Sequence, residues 1–147
     1  MNMSGIVCRI VIDEKDLTQC FAIRQKIFVD EQKLFEHTDR DAQDETAIHI
    51  AALMDNKIIG TVRIYCEDDV VWWGGRLAVV KQSRGKAGRL LIKKATETVK
   101  GKKATCFRAN VQRKNVAFFK TLKWRPVGEE FLLNNKPHQM MEADLDE

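Results

Sequence analysis

Apolar and polar residues follow two periods along the chain, and the switches between these periods predict its elements. Residues 6–12 alternate and are rich in β-branched side chains, which predicts a first strand. Apolar residues then recur at helical spacing over roughly residues 15–29, and Asp13 can cap that helix. Residues 30–46 are acidic and irregular, which indicates a loop with room for a short helix.

Three further strands follow, joined by tight turns. Strands over residues 47–54 and 58–65 flank a turn at 55–57, which predicts a hairpin. A long strand over residues 70–80 comes next. Its Gly74-Gly75 pair indicates a bulge or the close approach of another part of the backbone.

The second half of the chain alternates helices with strands. The pattern predicts a helix that opens after residue 88, a strand over 104–111, a short helix over 115–122 that ends at 124–126, and a terminal hairpin of strands 129–133 and 138–143. This order of elements predicts an α/β (α+β) domain with one central sheet, and we assign all of residues 1–147 to that single domain.

Composition narrows the class of protein. The chain has 147 residues, of which 44% are hydrophobic and 31% charged, as is typical of a globular domain with its own core. No apolar run approaches the ~18 to 20 residues of a membrane span, and the first residues lack a signal-peptide pattern. The four cysteines are scattered and show no metal-ligand spacing with the histidines. We therefore expect a cytoplasmic protein without a bound metal or membrane association.

The net charge of +4 bears on the choice of ligand. Residues 100–103 form a basic run without interleaved aromatic residues, which indicates an exposed connection after a helix. Nucleic-acid association is therefore the weakest interpretation, and we expect no nucleic-acid partner. Excess positive charge near residues 81–89 would instead attract a small anionic ligand.

Residues 76–92 are the most informative stretch. A buried strand runs into the basic, glycine-containing loop 81–88, and a helix follows directly. Free backbone N–H groups and the positive end of the helix dipole make such a junction a phosphate site. A Walker loop requires Ser or Thr where this chain has Ala87, and a dinucleotide fold requires GxGxxG early in a βαβ unit. Neither pattern fits, so a phosphorylated ligand of another kind is expected.

The loop and the order of elements resemble the GNAT N-acetyltransferase family, and within it a bacterial subgroup named for nitrogen starvation. Residues 82–87 follow the family signature Arg/Gln-x-x-Gly-x-Gly/Ala. Residues 23–32 are similar to its first helix, 109–131 to its fifth strand and fourth helix, and 136–145 to its closing strand. The resemblance implies a mostly antiparallel sheet of about seven strands with about four helices, in which strands four and five splay apart.

The resemblance also implies acetyl-CoA as co-substrate and direct transfer of the acetyl group to the primary amine of an unidentified small molecule. Phe119 stands where many family members have a Tyr that protonates the departing thiolate, so a CoA-binding or regulatory module with little catalysis is the alternative. The residues implied to bind the cofactor are Leu77, Ala78 and Val79 of the strand, Arg84, Gly85, Lys86, Ala87, Gly88 and Arg89 of the loop, and Asn115, Phe118 and Phe119 of the short helix.

Candidates for catalysis and acceptor binding lie in other elements. His49 is the first candidate for general base because an ordinary imidazole pKa near ~6.5 suits that task, and Glu31 is the second. The backbone N–H of Val79 is the family-based candidate for stabilising the oxyanion. Arg76 could hold a carboxylate of the acceptor or pair with Glu31, and His138 resembles a histidine of the closing strand. The terminal hairpin leaves both a monomer and a homodimer open.

Overall fold

The computed structural model describes residues 5–146, and these residues form one central mixed sheet. The strands are β1 (Ile6–Ile10), β2 (Ile48–Met54), β3 (Lys57–Glu67), β4 (Val71–Val79), β5 (Cys106–Gln112), β6 (Trp124–Pro126), β7 (Phe131–Leu133) and β8 (Lys136–Ala143). They pair in the spatial order β1-β2-β3-β4-β5-β8-β6, and β7 pairs with the start of β8. Among the described strands, β4 and β5 form the one parallel pair.

Helices connect the strands. Helix α1 (Glu14–Arg24) begins at Asp13, whose side chain accepts a hydrogen bond from the N–H of Asp16, and it continues into a π-helical segment, Gln25–Glu31. Helices α2 (Arg84–Gly101) and α3 (Val116–Thr121) follow β4 and β5. The described residues thus form three α-helices and one π-helical segment, against about four helices expected. With its single mixed sheet, the structure confirms the predicted fold class.

Two boundaries differ from the sequence prediction. Helix α2 begins at Arg84 and not after residue 88, so the predicted loop is mostly the first turn of this helix. Residues 124–126 form strand β6 instead of only ending a helix, because Trp124 is buried against the rings of Phe107 and Phe119. Pro126 is tolerated there because β6 lies at the edge of the sheet.

The two faces of the sheet have different chemistry. On one face, Ile50 of β2 packs with Leu91 of α2 in the main apolar core. The alternating residues of β2 point to the other face, where Ala51 packs with Cys20 of α1 and His49 contacts the ring of Phe21. The face beneath α1 is therefore the one that carries buried polar side chains.

Strands β4 and β5 separate halfway along their length. Residues 71–74 pair with residues 106–109, and beyond these pairs the two strands have no common register. A bulge in β4 sets Arg76 and Leu77 opposite the single residue Val62 of β3. Arg76 has a φ of 54°, a left-handed conformation that costs a non-glycine residue free energy. The sequence placed the bulge at Gly74-Gly75, one or two residues too early. The splaying of the strands is as predicted.

Gly74 does mark a close approach, but by the side-chain ring of Phe107 and not by another part of the backbone. A Cβ atom at Gly74 would lie 3.0 Å from the ring of Phe107, whereas one at Gly75 would meet nothing within 4 Å. We expect Gly74→Ala to lower the free energy of unfolding by about 1–3 kcal/mol because the ring must move in a packed core. Gly75→Ala is the matched control and should change it by less than about 0.5 kcal/mol. Urea denaturation measures both, and equal losses would contradict the explanation.

Candidate functional site

A cleft opens where β4 and β5 separate. Its walls come from β3, β4, β5 and α3, from the residues that follow α1, and from the β7–β8 hairpin. Five of the residues predicted from the sequence line it together: Arg76, Leu77, Asn115, Phe119 and His138. Tyr65 of β3 lines the same cleft. Both strands and helices therefore fix the positions of the candidate side chains.

Near the end of β4, the backbone groups of Val79 point away from β3, although Val79 is not among the residues that line the cleft. The N–H of Val80 donates to the carbonyl oxygen of Ile59 at 2.8 Å, so Val80 faces β3. Backbone groups alternate in direction along an antiparallel ladder, and those of Val79 therefore point away from β3, to the side where β5 has diverged. The carbonyl oxygen of Val79 accepts a hydrogen bond from Arg84 Nε at 3.1 Å. Ala78 pairs with Thr61, and its side chain packs on the α1 face.

Helix α2 begins directly after a 3-10 turn, Lys81–Ser83. Its N-terminus lacks the capping hydrogen bond and the acidic side chains that usually stabilise this end of a helix. Ser83 occupies the cap position without a side-chain hydrogen bond, and no acidic residue lies in the first turn. Arg84, Lys86 and Arg89 bring positive charge to the end of the helix where the dipole favours negative charge. Both the free N–H groups and these cations suit an anionic ligand.

The other residues of the predicted loop pack inward or lie open. Ala87 is fully buried, and Gly88 faces the ring of Phe118, with a Cβ built there 3.7 Å from that ring. Phe118 thus contacts the start of α2 and is not among the residues that line the cleft. Phe119 lines the cleft, packs edge-on against Trp124, and offers no hydroxyl group. Gly85 is exposed with open space beside it.

A strap made of residues 31–34 crosses the cleft. Glu31 accepts a hydrogen bond from Arg84 Nη2 at 2.7 Å, which joins the strap to the start of α2. Gln112 of β5 donates to the side chain of Gln32 at 3.0 Å. The strap is therefore tied to both walls of the cleft at once. Arg84, by hydrogen bonding, also holds the pKa of Glu31 below its usual range.

The far end of the strap is tied to the terminal hairpin. Asn134 Nδ2, in the β7–β8 turn, donates to the carbonyl oxygen of Leu34 at 3.0 Å. This contact joins residues that are 100 positions apart, and the Gln32–Gln112 contact spans 80. Sequence spacing carries no signal for either contact.

Beneath α1 lies a buried arginine–aspartate cluster, formed by Arg24, Arg63, Arg76, Asp39, Asp41 and Asp44. Arg24 is 1% exposed, and its Nε donates to Asp39 at 2.7 Å. Its two terminal nitrogens donate to the two oxygens of Asp44 at 2.8 and 2.9 Å. Each of the three guanidinium nitrogens thus donates to a carboxylate oxygen, which compensates for the burial of this charge.

The same cluster reaches the cleft through β3 and β4. Arg63 donates to Asp41 and, at 3.0 Å, to Asp44. Arg76 donates from Nε to the backbone oxygen of Asp39 at 3.0 Å, and its guanidinium lies over the ring of Phe35. Arg76 therefore pairs with residues 39–44, which we call the aspartate loop. It does not pair with Glu31, although that pairing was one of its two predicted roles.

The arginines favour the ionised form of two of the cluster's carboxylates, Asp41 and Asp44. Burial opposes ionisation of Asp44, but hydrogen bonds from Arg24 and Arg63 outweigh it and hold the pKa of this carboxyl well below its usual range. The hydrogen bond from Arg63 likewise lowers the pKa of Asp41. The acidic, irregular pattern of residues 30–46 did not predict the burial of Asp39 and Asp44, whereas Asp41 stays exposed.

His49 lies beside the cluster and does not line the cleft. It is 6% exposed, and its Nε2 lies 3.0 Å from the backbone oxygen of Asp44. A carbonyl oxygen only accepts, so Nε2 carries the proton and Nδ1 is left buried without a partner. Burial lowers the pKa of His49. The geometry therefore does not favour its predicted role as general base.

His138 has the complementary arrangement. Its Nδ1 lies 2.9 Å from the backbone oxygen of Lys136, so Nδ1 carries the proton and Nε2 of the neutral ring has a free lone pair. The ring is 3% exposed and lines the cleft. Tyr65 lines the cleft as well, and burial raises the pKa of its phenol, which keeps the hydroxyl protonated.

Within residues 5–146, no group of three or more His, Cys, Asp or Glu side chains could hold a metal ion. In the same described part of the chain, no helix combines the length and the apolar character needed to cross a membrane.

Comparison with known proteins gives one matching family model, described as an acetyltransferase (GNAT) domain, over residues 18–145. A putative acetyltransferase of Bacillus subtilis strain 168 is 28% identical over 138 residues, which cover 89% of this chain and 91% of that protein.

Two solved structures share the fold. A putative N-acetyltransferase from Lactobacillus plantarum has a TM-score of 0.85 at 21% identity, over 96% of this chain and 99% of that one. The CoA-dependent acyl-homoserine lactone synthase BjaI, solved with SAM and isopentyl-CoA, has a TM-score of 0.78 at 20% identity, over 96% of this chain and 84% of that one.

Removing Arg24 should destabilise the protein strongly. Arg24→Ala leaves Asp39 and Asp44 buried without their main partner, so we expect the free energy of unfolding to fall by about 3–5 kcal/mol. Arg9→Ala is the matched control, because it removes an arginine–aspartate pair of similar length, 2.9 Å, at the surface. That change should cost less than about 1 kcal/mol. Urea denaturation at neutral pH compares the two, and similar losses would contradict a supporting role for the cluster.

Proposed function

Because this chain belongs to the GNAT acetyltransferase family and is thus an acyltransferase, we propose that it transfers an acetyl group from acetyl-CoA to the primary amine of a small-molecule acceptor. Transfer is direct, within a complex that holds both substrates. The observation that carries this proposal is the notch between β4 and β5, where the N–H of Val79 points away from β3 and the uncapped start of α2 lies at the end.

The donor fits this notch from end to end. The pyrophosphate is held by the first N–H groups of α2 and by Arg84, Lys86 and Arg89, where an anion offsets unpaired donors and positive charge. The pantetheine lies between the splayed strands, where its amides pair with backbone groups of β4 as an added strand would. Asn115 faces it from the other wall.

Acyl transfer begins by removing a proton from the acceptor. An alkylammonium with a pKa near ~10 is only about one part in 10³ neutral at pH 7. His138 is the proposed base, because its Nε2 has a free lone pair and its ring lines the cleft. The neutral amine then attacks the thioester carbonyl carbon, and the N–H of Val79 stabilises the resulting oxyanion.

Collapse of the tetrahedral intermediate breaks the carbon–sulfur bond. The nitrogen still carries an extra proton after the attack, and it releases that proton to solvent or to the departing thiolate as the amide forms. CoA leaves as a thiolate, and an ordinary thiol pKa near ~8.5 makes this departure tolerable without an acid. Tyr65 is the phenol that lines the cleft, and it keeps its proton because burial raises its pKa. It is therefore a candidate donor for the thiolate in place of the hydroxyl that Phe119 lacks.

Thermal-shift titration with acetyl-CoA tests the binding step, because a ligand that binds only the folded state raises the melting temperature. No shift at millimolar acetyl-CoA would contradict the proposal. A thiol-release assay over a panel of amines tests transfer. Binding without thiol release would instead favour the CoA-binding module with little catalysis, which the absence of a hydroxyl at Phe119 keeps in view.

Replacing His138 separates the two candidate histidines. We expect His138→Gln to lower kcat/KM by about 10²–10⁴-fold near neutral pH, because the proton acceptor is lost. Its residual rate should keep rising with pH toward the amine's own pKa near ~10, since only acceptor that is already neutral can then react. His49→Gln should retain the wild-type pH profile, since His49 lies outside the cleft. Steady-state kinetics across pH, with acetyl-CoA affinity measured alongside, decides between them. A pH profile lost in His49→Gln and kept in His138→Gln would reverse the assignment.

Replacing Glu31 tests the strap against a catalytic role for this carboxylate. Glu31→Gln frees Arg84 from its ionic partner, so we expect CoA to bind about two- to fivefold more tightly. Glu130→Gln is the control, because it breaks a similar exposed pair, with Arg113 at 2.7 Å. Calorimetric titration with CoA and with pantetheine should show the gain for CoA alone. A drop in kcat of about 10²-fold without a change in CoA affinity would identify Glu31 as the base instead.

A further inference from the structure

The acceptor side of the cleft is apolar. Phe28, Leu34 and Phe35, from the end of α1 and the strap region, line it on one side. Leu133, at the end of β7, lines it on the other. Phe28 is 4% exposed and meets Phe35 edge-on, with 6.5 Å between the ring centroids, so this wall is a packed aromatic surface.

The charged side chains that line this cleft are all positive. Among the described residues, the charged side chains in its lining are Arg63 and Arg76, and no carboxylate lines it. The guanidinium of Arg76 lies 4.5 Å from the centre of the Phe35 ring, and that of Arg63 lies 5.4 Å from the centre of the Tyr65 ring. A second cation on the acceptor would find these two ring faces already in use.

The nearby carboxylates are committed as well. Asp39, Asp41 and Asp44 are held by the arginines of the buried cluster. Glu31 is paired with Arg84 on the strap. A polycationic acceptor would therefore bring a second ammonium group into a cleft whose lining offers it no free carboxylate, and that group would lose its hydration there without compensation.

An exposed apolar rim continues the cleft outward along β7. Phe131 and Leu133, which alternate with Leu132 and so share one face of the strand, are 37% and 39% exposed. The rim joins the cleft through Leu133, which lines it, and through Phe131, whose ring centroid lies 6.1 Å from that of His138. Contiguous exposed apolar side chains of this kind mark binding surfaces more often than chance.

We propose that the acceptor is a primary monoamine on an apolar body, alkyl or aromatic, that extends from the cleft over the β7 rim. This assignment rests on the proposed function and names the class of its acceptor. It excludes acceptors that need a second cation, such as polyamines and aminoglycosides. The amine lies at His138, and the body lies between the aromatic wall and Leu133.

The experiment compares octylamine with 1,8-diaminooctane at saturating acetyl-CoA. The two acceptors have the same length and differ by one ammonium group, so they isolate the effect of the second charge. We expect kcat/KM for octylamine to be at least about tenfold higher. Along a series from ethylamine to octylamine, kcat/KM should rise by up to about fourfold for each methylene that becomes buried.

A rim variant localises the apolar contact. Phe131→Ser with Leu133→Ser should reduce the octylamine-to-ethylamine ratio of kcat/KM by about tenfold, because two apolar contacts with the acceptor are lost. Ile12→Ser is the matched control, since Ile12 is 92% exposed and far along the chain from β7. It should leave the ratio unchanged.

Four outcomes would overturn the proposal. One is equal or better use of the diamine, and another is a ratio that does not respond to the rim variant. The third is a gain in rate from longer acyl-CoA donors with ethylamine that the rim variant abolishes, which would assign the apolar region to the donor. The fourth is a wild-type dimer that the rim variant dissociates, which would assign the rim to a second copy. If acetyl-CoA did not raise the melting temperature of the wild-type protein, that result would instead refute the proposed function itself.

Discussion

The arrangement of the cleft depends on a buried set of charges that sums to zero. Three guanidinium groups and three carboxylates meet beneath α1, and Arg24 at their centre is 1% exposed. Moving such groups out of water is costly, and their mutual hydrogen bonds offset that cost only if every partner is in place. The cluster therefore requires one relative position of α1, the aspartate loop, β3 and β4.

The bulge in β4 is part of the same constraint. Arg76 has a left-handed backbone conformation, which is unfavourable for any residue other than glycine. Its contacts with Asp39 and with the ring of Phe35 stabilise that conformation. The bulge turns β4 at the point where β5 leaves it, so the ionic cluster and the notch are connected through one residue.

Local patterns predicted most of the fold, because its strands alternate and its helices have helical spacing. They failed where a distant contact decides the local structure, as at Trp124, whose burial against Phe107 and Phe119 creates β6. The observed start of α2 and the observed bulge also differ by a few residues from their predicted positions, since glycine residues alone do not fix a boundary.

The candidate site was less predictable than the fold. Most of the predicted cofactor residues lie between positions 77 and 89, so a sequence motif was enough to propose them. The roles of His49 and His138 depend on which ring nitrogen meets a backbone carbonyl and on which face of the sheet the ring lies. The strap contacts join residues far apart in sequence and could not be read from it.

The notch between β4 and β5 also has a bearing on solubility. Two strands that part within a sheet expose unpaired backbone groups, which are the usual starting point for aggregation by strand addition. Here these edges face inward across a narrow gap, and residues 31–34 roof it through contacts with both walls. The same segment that covers the cleft thus shields these unpaired edges from pairing with other polypeptides.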